Sequence, residues 1–108
     1  MNSYIPPELV RSPKQRISNI PEVVFDGGES RDGEQSTFSL ANLIWDNQRV
    51  LGIRWNGSAN SPTGTPQSRG TATWFILPNE LTRQASSWDF LDKHQKSLIF
   101  EFQNRNSN

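Results

Sequence analysis

The chain has 108 residues, with 11 Lys+Arg against 11 Asp+Glu, one His and no Cys. That length fits one small domain, and the missing Cys excludes a disulfide frame, a thiol nucleophile and Cys-ligated zinc or iron–sulfur centres. Hydrophobic residues make up only 32%, so the core must draw on six Phe, four Trp and one Tyr, whose rings carry much apolar area per residue.

The zero net charge hides an asymmetry. Residues 1–46 carry four basic against seven acidic side chains, residues 47–83 carry Arg49, Arg54, Arg69 and Arg83 against Glu80 alone, and the remainder balances. The positive section is also the Trp- and Gly-rich one.

Residues 1–21 hold Pro6, Pro7, Pro13 and Pro21 without sustained periodicity, which predicts an extended arm, either pinned through Tyr4, Ile5, Leu9, Val10 and Ile17 or serving as a partner-binding tail. A single domain is expected over 22–102, with a polar tail at 103–108. Val23-Val24-Phe25 is a short apolar run closed by Asp26-Gly27-Gly28, a strand followed by a turn. Thr37–Trp45 places Phe38, Leu40 and Ile44 on one side and Ser39, Ala41, Leu43 and Trp45 on the other. Asp46-Asn47-Gln48 separates it from Arg49–Trp55, so the two strands form a hairpin. Gly52 inside the second of them marks a bulge or a close backbone approach.

Asn56–Gly70 (NGSANSPTGTPQSRG) is a fifteen-residue stretch whose only charge is Arg69. A loop of that length in a compact domain is more often functional than decorative. Thr71–Leu77 follows as one strand. Pro78-Asn79-Glu80-Leu81 starts a short helix, and Ser86 or Ser87 offers an N-cap for a second helical turn or two running to about Gln95. Leu98, Phe100 and Phe102 alternate as a strand, while Trp88, Leu91, Gln95, Leu98 and Phe102 also fall at helical spacing; β propensity favours the strand. The sum is an α+β fold: an antiparallel sheet of three to five strands in hairpin order, with one or two short helices near the C-terminus.

Little in the sequence points to catalysis. His94 lies between Lys93 and Gln95 with no orienting carboxylate at a fixed spacing, and reads as a solvated side chain. There is no nucleophile elbow, zinc-binding His pair or phosphate-cradling Gly-Lys loop. Four carboxylates and three glycines crowd Asp26–Glu34, but Arg31 interrupts them and the calcium-loop spacing is absent, so a solvated turn is expected. No catalytic residue, metal or cofactor is assigned.

The informative segment is Leu51-Gly52-Ile53-Arg54-Trp55-Asn56-Gly57, then the loop, then Ser68-Arg69-Gly70-Thr71-Ala72-Thr73-Trp74-Phe75-Ile76-Leu77-Pro78. If its two strands pair, Arg54, Trp55, Arg69 and Trp74 can share a sheet surface flanked by Asn56. Such a face suits partner binding, because Arg and Trp are enriched in interface hot spots. It also suits stacking of bases and neutralising of phosphates. Alternatively, Trp55 and Trp74 are core residues with the arginines solvated or paired.

The segments LGIRWNG and SRGTATWFILP, with the short helix that follows, resemble small uncharacterised bacterial proteins of the mobile gene pool, such as plasmid and integron-cassette products. That likeness spans Leu51 to Leu81 and brings no chemistry to transfer. The hairpin order ending in Trp74–Leu77, Pro78, Glu80 and Leu81 is also similar to the transcriptional coactivator family that binds single-stranded DNA on a curved antiparallel sheet. That family's sheet is Lys-rich, whereas this chain has no Lys between Lys14 and Lys93.

The expectation is a small non-enzymatic binding or regulatory module. Its partner would be another protein, or a second copy through an edge strand or the Phe100/Phe102 strand. Single-stranded nucleic acid is the alternative partner, and a small molecule or substrate in a pocket lined by Trp45, Trp55 or Trp74 is a further one. The longest apolar runs, Trp74–Leu77 and Leu98–Phe100, are too short to span a bilayer and no signal-peptide pattern opens the chain. A cytoplasmic location without membrane contact is therefore expected.

Overall fold

The structure is a computed structural model and describes residues 4–105. Four strands form one antiparallel sheet in the order β1 (Glu22–Asp26), β2 (Phe38–Trp45), β3 (Gln48–Trp55) and β6 (Phe75–Leu77). Two short strands, β4 (Gln67–Ser68) and β5 (Thr71–Ala72), make a separate hairpin. Helix α1 (Asn79–Thr82) continues into a 3-10 turn at Arg83–Ser87, and α2 (Lys93–Asn104) ends the fold. The architecture is α+β, and no helix among the described residues is long and apolar enough to cross a membrane.

The central β2–β3 hairpin is the regular part. Asp46 and Asn47 both adopt positive φ, as a two-residue turn matched to strand twist requires, and Asn and Asp tolerate that region best after Gly. The register pairs Phe38 with Trp55, Leu40 with Ile53, Asn42 with Leu51 and Ala41 with Gly52. Side-chain alternation then sorts the sheet into two apolar faces.

One face carries Leu40 and Leu51 and packs under the C-terminal helices through Ala85, Leu91 and Ile99. The β1–β2 register slips between Val23 and Phe25. The extra residue, Val24, joins the helix-side core beside Phe25, so a β-bulge lets two consecutive apolar side chains serve one face. Asn42, fully buried on β2, donates through Nδ2 to Glu22 Oε1 (2.8 Å) and to the Leu98 carbonyl (3.0 Å), which ties α2 to the sheet.

The other face is covered without a helix. Val10 and Ile17 of the arm pack on Ala41, Leu43 and Val50 together with Ala72 and Trp74. Ile17 bridges Trp45, and Trp74 Nε1 donates to the Val10 carbonyl at 2.7 Å. The arm is therefore a structural layer, pinned by Ile5, Val10 and Ile17, whereas Leu9 is exposed.

Several sequence expectations are corrected. The Leu98–Phe102 segment is helix, not strand, and α2 runs two residues into the segment read as tail; residues 106–108 of that tail lie outside the described ones. Its N-cap is Asp92 rather than Ser86 or Ser87. Asp92 Oδ1 accepts from the Gln95 amide and Gln95 Oε1 from the Asp92 amide, both at 2.8 Å, a reciprocal box that fixes the helix start. Thr71–Leu77 is not one strand: Thr71–Ala72 pairs with Gln67–Ser68, and Phe75–Leu77 pairs with β3. The bulge lies in β1, while Gly52 marks a close approach.

A Cβ on Gly52 would stand 2.5 Å from Leu43 Cδ1 and 3.2 Å from Trp74 Cε3. Both neighbours are buried. Gly52→Ala is expected to destabilise the fold by about 1–3 kcal/mol through overpacking, read as a lowered urea midpoint with an unchanged slope.

Candidate functional site

Arg54 faces the arm side of the sheet at the end of β3 and is only 1% exposed. Its guanidinium donates to the carbonyls of Thr63, Pro66 and Thr73, three points spread along the stretch between β3 and β6. Burial pulls its pKa down to about 10, the phenol of Tyr4 opposing that shift, so it stays charged at neutral pH. Carbonyl oxygens offer it no full negative charge, and the cost of burying the cation is offset by hydrogen bonds to charged donors, each stronger than a neutral one.

Asn56 is a second anchor. Its Oδ1 accepts from Ser39 Oγ at 2.7 Å, its Nδ2 donates to the Gly28 carbonyl at 2.8 Å, and its carbonyl accepts from Ser30 Oγ at 2.8 Å. The Ser30 amide donates to the Gly57 carbonyl at 2.8 Å. The acidic turn after β1 and the loop after β3 are thereby fastened side by side. Gly57 is needed where the loop folds back on itself, since a Cβ there would collide with the Pro62 carbonyl.

The loop that looked structureless is thus folded back on β3. Trp55 exchanges backbone hydrogen bonds with Thr65 at 2.7 and 3.1 Å, and β4–β5 turns through Arg69 and Gly70, both at positive φ. Above the junction lies an open cleft of about 520 Å³ between residues 30–36 and residues 55–67. Asp32, Glu34, Gln35, Ser58, Ser61 and Gln67 line it, with Trp55 in its wall.

The five residues singled out from sequence do not form one face. Arg54 and Asn56 are buried and occupied internally, Trp74 is core on the arm side, and Arg69 stands exposed at the tip of the separate hairpin. Trp55 alone is an exposed ring, at 45%. Its neighbours are aromatic residues the sequence did not nominate: it meets Phe38 edge-on (6.4 Å between centroids), and Phe38 contacts Phe25 (5.1 Å) and Phe90 (5.4 Å). Phe90 in turn stacks on Trp88 at 5.8 Å.

These rings border a groove of about 220 Å³ on the helix side of the sheet, lined by Phe38, Leu40, Ile53, Leu77, Leu81, Trp88 and Phe90. Every lining side chain is apolar. Phe75, opposite Ile53 in the register, is 53% exposed on the same face, and Leu81 and Phe90 are similarly bare. The shared parity of Phe38, Leu40, Ile53, Trp55, Phe75 and Leu77 in three strands was the sequence signal for this patch. Among the described residues, no three His, Asp or Glu side chains converge as metal ligands. Comparison with protein-family models, curated proteins and solved structures finds no match to the chain.

Arg54→Met should remove the donors while keeping bulk, taking the guanidinium from the Thr63 and Thr73 carbonyls while Pro66 keeps the Thr73 amide. A loss of roughly 2–4 kcal/mol in urea unfolding is expected, with faster proteolysis between residues 57 and 73. Tyr4, whose hydroxyl donates to Asp26 Oδ1 at 3.3 Å, has its pKa raised to about 12 by burial first and then by Asp26. A raised folded pKa means the stabilisation is complete below the unfolded value near 10 and is lost as pH climbs through about 12. As the only tyrosine, it should show tyrosinate absorbance displaced upward to that value, and Asp26→Asn should lower the midpoint.

Proposed function

We propose that this chain is a small non-enzymatic protein-binding module whose partner seats an apolar side chain in the groove beside Trp55. The supporting observation is the cluster of half-bare Trp55, Phe75, Leu81 and Phe90 around a groove lined by apolar side chains alone. Exposed apolar residues scattered singly need no explanation, but a contiguous patch with a concave centre is what a partner's anchor residue fills.

The nucleic-acid reading has less to stand on. Arg54 spends its donors on three backbone carbonyls, and Arg69 stands apart on its own hairpin. Across the cleft from Trp55 stand Asp32 and Glu34, which repel phosphates rather than attract them. A small polar ligand in that cleft is the second reading, favoured by the Trp55 ring in its wall.

Selection from a random peptide library tests the proposal. Enriched peptides should carry an aromatic or aliphatic anchor and lose roughly tenfold or more in affinity on Leu81→Asp. Leu81 is half exposed, so the variant keeps its fold, which circular dichroism verifies. Peptides that bind wild type and Leu81→Asp equally, or contact only the cleft residues, would overturn it.

A further inference from the structure

The two edges of the sheet are finished differently. Edge strand β1 carries Glu22 and Asp26 at its ends and a bulge within it, and the N-terminal 3-10 turn at Pro7–Leu9 packs beside it. Charges, bulges and covering segments are the usual protections against a further strand. Edge strand β6 has none of these. Its sequence is Phe75-Ile76-Leu77, it pairs with β3 on one side, and among the described residues its backbone makes no hydrogen bond outside that ladder. Phe75 and Ile76 are both exposed.

Resting on the protein-binding reading above, we propose that the partner is a second copy of this chain, joined by antiparallel pairing of β6 with β6 about a two-fold axis at Ile76. A two-fold contact demands a self-complementary surface, and this edge supplies one. In a pairing centred on Ile76, Phe75 of one copy lies opposite Leu77 of the other. Both residues have the same parity and face the helix side, so each Phe75 ring comes to the mouth of the other copy's groove, against Leu77 and Leu81. Each Ile76 meets its counterpart on the opposite face.

The register is confined by its neighbours. Trp74 before the strand is locked into the core, and Pro78 after it has no amide hydrogen, so three residues per copy are available and Ile76 is their centre. Charge does not oppose the contact. Trp74–Asn79 has no ionisable side chain, the flanking Glu80 and Arg83 are of opposite sign, and the whole chain is neutral.

The area is sufficient for a modest dimer. Half-bare aromatic side chains present on the order of 100 Å² each. With the strand edges and the Phe75, Ile76 and Leu81 side chains of both copies, the contact comes to several hundred Å², the size class of a weak, reversible interface. The pairing would continue the four-stranded sheet into one of eight strands, with the helices of both copies on one face.

The absence of native Cys makes the register directly testable. Residues opposed in an antiparallel pair have Cα atoms about 4.5–5.5 Å apart, within the range a disulfide spans. Ile76→Cys should therefore oxidise to a covalent dimer, while Ile20→Cys, more exposed than Ile76 but remote in sequence and fold, should not. Light scattering over a concentration series should show a reversible wild-type dimer whose dissociation constant rises roughly 30-fold or more in Ile76→Lys. A wild-type monomer throughout, a dimer indifferent to Ile76→Lys, or equal cross-linking from both cysteines would each refute the pairing. Peptide selection repeated on Ile76→Lys, whose groove is open in either case, separates that failure from failure of the binding-module reading.

Discussion

The buried guanidinium of Arg54 is the contact on which the irregular half of this protein depends. The β2–β3 hairpin needs little help, because a favourable turn and an unbroken register specify it. The chain from Asn56 to Trp74 has no such local guarantee, since it is built of Gly, Pro, Ser and Thr with few apolar side chains to bury. Drawing Thr63, Pro66 and Thr73 onto one planar donor converts it from a loop into a lid over the sheet. Arg suits this position because its fork presents several donors in fixed geometry, where a lysine would offer a single point charge.

Fixing that stretch has consequences at both ends. It places the short β4–β5 hairpin and Trp74 on the arm side, where the indole reaches the Val10 carbonyl and Gly52 leaves space for its ring. It also lets the chain re-enter the sheet late, as a strand of three residues instead of seven. The sheet's last strand is consequently short, uncharged and bare along one edge. Asn56 works in parallel on the other side, holding the acidic turn against the loop and shaping the cleft beside Trp55.

The bare apolar patch follows from how the helices are distributed. Helix α2 and the 3-10 turn cover Leu40 and Leu51 near the middle of the sheet, but Phe38, Trp55 and Phe75 lie towards one end and are only partly roofed by Trp88 and Phe90. What remains uncovered is an aromatic rim around a shallow apolar groove. A partner that brings its own apolar group there gains burial without requiring the protein to change shape.

Period-two alternation and turn residues were enough to specify the α+β class and the β2–β3 hairpin, and a short apolar run closed by Asp26-Gly27-Gly28 marked the first strand, because those depend on neighbours in sequence. Local chemistry also contained the Asp92–Gln95 box that starts α2, although alternation at Leu98, Phe100 and Phe102 pointed to a strand. The helix prevails because Ile99 and Phe102 on one stripe bury against a sheet face that needs a cover. The candidate site residues were a different matter. Arg54, Asn56 and Trp74 have the composition of a recognition surface, and whether such side chains face water depends on which carbonyls lie within reach after folding. The patch formed by Phe38, Trp55, Phe75, Leu81 and Phe90 comes from separate segments spread between residues 38 and 90. Sequence by itself determined the β2–β3 hairpin and its turn; only the tertiary structure decided which rings stay bare, because exposure is set by what packs above a residue and not by the residue itself.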